Sequence, residues 1–242
     1  MTSMHVERLC ISQRFRGPPR SGNGGYVCGR IASHLDGTTC VRLKAPPPLD
    51  IELRLETSGE VARLFHDDKL IGEGNSAQLD LQVPASPTFE QAESSSHSFV
   101  GFHDHPFPGC FVCGPEREPA DGLRIFPGAT GESSIVAAPW TPDPSLADED
   151  GFIQPEFLWS ALDCTGAFAI LPVASEIAIV LGELTASIIG TARHGEHLVA
   201  AGWKLGVEGR KHFAGSAIYN AAGEVVAKAR AVWIEVPRAH WH

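Results

Sequence analysis

Two stretches of the 242-residue chain follow one plan, and that repetition limits the fold more than any single motif does. Near the C-terminus, residues 185–190, 197–207, 211–220 and 224–236 are β-patterned runs parted by glycine-containing turns such as Ala222-Gly223-Glu224, the pattern of an antiparallel meander. In the first half, residues 40–44, 50–55, 60–66 and 70–83 form four runs of similar size, broken by Pro46-Pro47-Pro48, Ser58-Gly59 and Asp67-Asp68-Lys69. Ahead of each block stands one helical candidate. Residues 154–170 place Pro155 at the first helical position and Glu156 in the first turn, and are then apolar on nearly every face, as suits a helix wrapped by a sheet. The counterpart, residues 23–35, is rich in glycine and has little helical propensity; only the repeat supports it.

Residues 84–109 are rich in Pro, Ser and polar residues and read as a linker. The expected organisation is a unit over 1–83, the linker over 84–109 and a second unit over 110–242. Hydrophobic residues at 43% and charged residues at 20% supply enough apolar surface for a buried core and exclude disordered, collagen-like and coiled-coil classes. Lys and Arg number 19 against 29 Asp and Glu, a net charge of −10, which is the wrong sign for holding nucleic-acid phosphates. Residues 1–13 contain no apolar run of signal-peptide length, and no apolar stretch reaches the about 18 residues that a membrane span requires. The expectation is a cytoplasmic protein without membrane contact whose six cysteines are thiols.

The segment Cys110-Phe111-Val112-Cys113-Gly114-Pro115, followed by Asp121-Gly122-Leu123-Arg124-Ile125, resembles the entry sequence of small acyl-CoA thioesterases of the phenylacetyl-CoA type. These have the hotdog fold, one buried helix wrapped by an antiparallel sheet. With helix and meander occurring twice, the resemblance covers most of the chain in pattern and implies an α+β double hotdog of two fused units. It further implies hydrolysis of an acyl-CoA thioester, with coenzyme A entering as part of the substrate and with no separate cofactor or metal.

In that family the central helix opens with His-Gly-Gly and carries a catalytic Asp nine positions after the His. Here Gln154 takes the His position of the second helix, and Asp163 stands nine positions further on. In the first helix Asn23-Gly24-Gly25 keeps the glycine pair, but Ala32 occupies the acidic position. The resemblance therefore implies one complete site between the halves. Gly24 and Gly25 offer backbone N–H groups to the thioester oxygen, Asp163 acts as nucleophile or base, and Asn23 and Gln154 orient substrate or cap their helices. The reciprocal site pairs Pro155, which has no N–H, with Ala32, which has no carboxylate, and is expected to be inactive.

Physical chemistry favours the same roles without the family. Hydrolysis of a thioester passes through an oxyanion, which unpaired N–H groups at a helix N-terminus stabilise, and glycine allows close approach there. An Asp inside an apolar helix is desolvated, which raises its pKa toward the working range of a base. A carboxylate that caps a neighbouring amide is the plain structural alternative for Asp163, and ordinary turn glycines the alternative for Gly24 and Gly25.

Other features are less decided. Between residues 11 and 54 lie seven basic side chains against three acidic ones, and of these Arg14, Arg16 and Arg20 flank the glycine pair and are candidates to clamp coenzyme A phosphates. His103, His105, Cys110 and Cys113 have the ligand types of a zinc site, with buried thiols as the alternative. Residues 138–151, Pro-rich and acidic, read either as a lid or as a surface excursion. Trp140, Phe152, Phe157 and Trp159 read as acyl-tunnel lining or as plain core. Two rival activities remain beside the hydrolase, an enoyl-CoA hydratase on the same fold and a non-catalytic acyl-CoA or lipid-binding module. Pairing of two chains into a homodimer is a further expectation.

Overall fold

In a computed structural model, which describes residues 4–131 and 134–241, every β-patterned run becomes a strand. The ends of the two expected units at residues 1–3 and 242 lie outside the described residues. In chain order the elements are β1 His5–Cys10, α1 Gly24–Ala32, β2 Thr39–Leu43, β3 Glu52–Ser58, β4 Val61–His66, β5 Lys69–Ser76, α2 Phe89–Ser96, β6 Gly128–Ala129, β7 Ile135–Trp140, α3 Pro155–Phe168, β8 Ile177–Ile188, β9 Leu198–Glu208, β10 Lys211–Tyr219 and β11 Val225–Pro237. All eleven strands form one sheet in the order β1-β3-β4-β5-β2-β8-β11-β10-β9-β7-β6.

That order holds the repeat in a fuller form than the sequence patterning suggests. Each half is strand, helix, then four strands. The arrangement β1-β3-β4-β5-β2 is met in reverse by β8-β11-β10-β9-β7, so β1 answers β7 and β2 answers β8. The two arrays join through β2 and β8, where Thr39 to Arg42 pair antiparallel with Ala186 to Glu183 and Arg42 makes an ion pair with Glu183. The first strand of each array escapes the patterning. In β7 the run ends in Pro139-Trp140, and proline argues against a strand unless an edge tolerates it. Beyond the short β6 pairing, at Val136 and Ala137, β7 has just such an open side.

The segment 84–109, read as a linker, carries structure of its own. Thr88 and Gln91 form a reciprocal capping box that starts α2, and Ala92 and Phe99 are buried. The strand expected over 70–83 stops at Ser76. Leu81 and Val83 then pack on a second apolar cluster that includes Tyr219, whose hydroxyl donates to the Pro84 carbonyl at 2.8 Å.

The two central helices lie against each other inside the sheet. They run antiparallel, since Gly25 abuts Ser160 and Asp163 while Gly29 abuts Glu156. Glycine is required at both places. A Cβ on Gly29 would sit 2.5 Å from the Glu156 Cα, and one on Gly25 would sit 2.6 Å from the Trp159 carbonyl oxygen. The low helical propensity of α1 is thus the consequence of a smooth face that lets two backbones approach. Among the described residues no helix is long and apolar enough to cross a membrane.

Candidate active site

Asn23 starts α1. Its Oδ1 accepts the Tyr26 N–H at 2.9 Å, an N-cap bond, while its Nδ2 donates to Asp163 Oδ2 at 3.1 Å across the helix pair. The capping reading of Asn23 is thus met, and the same side chain also reaches Asp163. The Gly25 N–H donates to the same Asp163 oxygen at 2.7 Å. The other oxygen, Oδ1, is buried and has no partner. Asp163 itself is 2% exposed. Burial pushes its carboxyl up to about 8; the Gly25 and Asn23 hydrogen bonds oppose that rise and the neighbouring Cys110 adds to it.

One glycine amide is thus engaged by Asp163. The other is free. At the first position of α1 the Gly24 N–H has no protein partner among the described residues, and Gly24 lines an apolar cavity of about 340 Å³. Asp163 lines it as well. Its walls come from both arrays, with Gly22 to Gly24 and Leu43 to Pro46 on one side and α3, β8 and β11 on the other. Ala167, Phe168, Leu171, Ile179, Leu181 and Trp233 make the interior apolar, and the exposed Lys44 stands at its edge.

Of the remaining expected site residues, Gln154 is the N-cap of α3 but makes no side-chain cap bond. Its Nε2 reaches the Ala147 carbonyl at 3.5 Å, and it does not line the cavity. Pro155 follows as the first residue of α3, without an N–H, and Ala32 is buried in α1, as the sequence spacing requires of the reciprocal position. The arginines lie outside the cavity wall. Arg14 donates to the Asp121 and Ala120 carbonyls at 3.1 and 2.8 Å and to Ser145 Oγ at 3.1 Å, and its guanidinium covers Phe15 and Phe111. These bonds tie three loops together. Arg16 is half-buried beside Gly109, and Arg20 is exposed.

The segment 138–151 is fastened away from the cavity. Gln154 N–H donates to Leu146 O, Ile153 N–H to Ala192 O and Gly195 N–H to Pro142 O, while Trp140 and Leu146 are buried. None of 138–151 lines the cavity, and neither do Phe152, Phe157 or Trp159. Phe157 instead belongs to an aromatic cluster with Phe15, Tyr26 and Phe111.

The sequence reading missed Cys164. One residue after Asp163, it comes within 3.7 Å of Cys110 through the two sulfurs, and Asn23 Nδ2 lies 3.6 Å from its Sγ. Hydrogen bonds from Cys113 and Cys164 hold the Cys110 thiol well below the usual thiol range. A distance of 54 positions along the chain hid this contact from any spacing rule.

No family model and no curated protein sequence matches the chain. Solved structures do. A tesB protein of Mycobacterium avium subs paratuberculosis aligns at a TM-score of 0.62 with 14% identity, over 97% of this chain and 93% of that one. The acyl-CoA thioesterase II TesB2 of Mycobacterium marinum gives 0.60 at 12%, over 96% and 93%. The fold is a double hotdog. A conserved protein with a hot dog fold from Alicyclobacillus acidocaldarius is similar to the same extent, at 0.60 and 9% identity over 97% of this chain and 96% of that one. At such identities the double hotdog is what is shared. The sequence expectation of a fused α+β hotdog pair is borne out.

Proposed function

We propose that the chain is an acyl-CoA thioesterase with a single site between the two helices. One observation carries the reading: a buried carboxyl with one oxygen held by the start of α1 and the other unpartnered, next to an unpaired helix N–H on the wall of an apolar cavity. The acyl group occupies the apolar interior. Its thioester carbonyl oxygen accepts the Gly24 N–H, which the partial positive charge of the α1 N-terminus reinforces. Lys44 at the rim meets the phosphates of coenzyme A. The location taken with this reading is the cytoplasm, whose reducing conditions keep the six cysteines as thiols.

Asp163 serves as general base. A water attacks the carbonyl carbon, its proton passes to Asp163 Oδ1, and the oxyanion forms against the Gly24 N–H. Collapse breaks the C–S bond, and the departing thiolate takes the proton back from Asp163 as the thiol. Burial keeps Oδ1 basic enough for this, and the bonds to Oδ2 fix its aim. The reciprocal arrangement at Pro155 and Ala32 supplies neither donor nor base. Thioesterase-type solved structures of the same fold support the assignment.

Thiol release from short, medium, long and aromatic acyl-CoAs tests it, with wild type and Asp163→Asn side by side. Turnover by wild type with a loss of at least about a hundredfold in the variant is expected, the size of a removed general base. Equal rates would remove Asp163 from the mechanism. If neither protein turns over but acyl-CoA protects the fold against heat, the chain is a binding module.

A further inference from the structure

Three buried thiols take no bond-making or proton-transfer part in that mechanism. Cys110 and Cys113 sit on one turn, and Cys164 faces them from α3. Their sulfur atoms all lie within 4.8 Å of one another, and those of Cys110 and Cys164 are 3.7 Å apart. From this geometry we propose that Cys110, Cys113 and Cys164 form a zinc site, with one small exogenous ligand on the fourth position.

Zinc held by thiolates at about 2.3 Å in a tetrahedron sets its sulfurs about 3.8 Å apart, so the Cys110–Cys164 spacing already has the required edge. The local backbone is shaped for the pair on the loop. Gly114 N–H donates to the Cys110 carbonyl at 2.9 Å, closing the turn that puts both thiols on one side. A Cβ at Gly114 would lie 2.5 Å from both the Cys110 and the Pro108 carbonyl oxygens, so the residue after Cys113 must be glycine for the turn to close. Asn23 Nδ2, at 3.6 Å from Cys164 Sγ and 3.9 Å from Cys110 Sγ, offers the sulfurs a donor from outside the ligand set.

Neither His103 nor His105 completes the set. His103 is exposed, and His105 Nδ1 accepts the Phe107 N–H at 2.9 Å, which leaves the proton on Nε2 and no lone pair there for a metal. The fourth position instead opens to the cavity that all three cysteines line, where water or a free thiol fits. A soft ligand set also suits Cu(I). Three thiolates around Zn²⁺ leave one net negative charge, however, against two around Cu(I), and a buried site favours the smaller. An odd number of mutually close thiols suits one shared ion better than a disulfide, which would strand the third.

The inference is independent of the hydrolase reading, because its readout is metal content. Untagged full-length protein, purified under reductant and stripped by chelator, is loaded with zinc alone, freed of excess and analysed for metal. One zinc per chain is expected in wild type and in Cys10→Ser, whose cysteine is exposed and apart from the cluster, and its loss in Cys113→Ser and Cys164→Ser. Cobalt(II) substituted into wild type reads the site without any variant, through thiolate charge-transfer absorption and the bands of a tetrahedral ion. Folded wild type that takes up no zinc, or a cobalt spectrum without thiolate bands, would overturn the proposal. So would zinc kept by folded Cys164→Ser, or tight stoichiometric Cu(I) with no zinc.

Discussion

Replacing Gly29 with alanine tests whether the close approach of α1 and α3 both holds the fold and aims the carboxyl. The added Cβ would meet the Glu156 Cα at 2.5 Å, the Glu156 Cβ at 2.9 Å and the Trp159 Cβ at 3.0 Å. Carbon atoms rest at about 3.5–4.0 Å, so the helices must separate by about 1 Å or bend. Alanine returns about 1 kcal/mol of helical propensity, whereas overpacking a core costs about 1–3 kcal/mol and backbone neighbours push toward the upper end. The expected balance is a loss of about 1–2 kcal/mol, read as a lower urea midpoint at unchanged slope and a Tm lower by about 2–8 °C for a chain of this size. The same separation stretches the 2.7 Å Gly25–Asp163 bond past hydrogen-bonding range, and a misplacement of about 1 Å at a reacting group removes up to about a hundredfold in rate. Gly206→Ala is the control, since nothing lies within 4 Å of a Cβ there. Gly29→Ala with wild-type stability would refute the packing argument. Lowered stability with undiminished turnover would refute the link between helix spacing and the site.

Further outcomes follow from the same geometry. With the base ionised only above its raised pKa, kcat/KM of chelator-treated protein should climb as pH passes through about 8, after the enzyme-free rate is subtracted; a flat profile there excludes Asp163 as the base. Because its folded pKa lies above the unfolded value of about 4, the stability that Asp163 contributes is complete below about pH 4 and is lost as pH rises to about 8. Urea midpoints of wild type and Asp163→Asn should therefore diverge in favour of the variant across that window, and parallel curves would contradict the shift. Gly24→Ala places a Cβ 2.9 Å from Leu181 Cδ2, which can rotate, and 2.9 Å from Leu181 Cβ, which moves only with its strand, so the fold should survive a small shift of β8 while Leu181 turns into the cavity. Long acyl-CoAs should then lose several-fold in KM and short ones little; an equal loss at every chain length would separate Leu181 from the acyl pocket.

The parts of this fold written in local periodicity were readable from the chain. Alternating runs gave eight strands, and Pro155 with Glu156 marked the start of α3, because those signals depend on neighbours a few positions away. What depended on distant partners was not. β1 has a single buried residue, Leu9, and so lacks an apolar stripe. β8 begins at Ile177, eight positions before the patterned run at 185–190, since Gly182 interrupts its patterning as the extra residue of a bulge opposite Val232 and Trp233. Asp163 was reachable because the family resemblance fixes a spacing that lies within one helix. Cys164 and the ties of Arg14 were not, for their partners arrive from other loops.

The short β2–β8 junction has a consequence for how the molecule assembles. Hairpins such as β3–β4, β4–β5, β9–β10 and β10–β11 close between strands adjacent in the chain, so little loop entropy opposes them. The four pairs from Thr39 to Arg42 join segments from opposite halves of the sequence, and alone they would return little for so large a closure. They gain strength only together with the glycine face of α1 meeting α3, which presupposes that both helices already exist. Joining the two arrays is therefore expected to come late in folding, and a defect at Gly25 or Gly29 should slow it while leaving the early hairpins untouched.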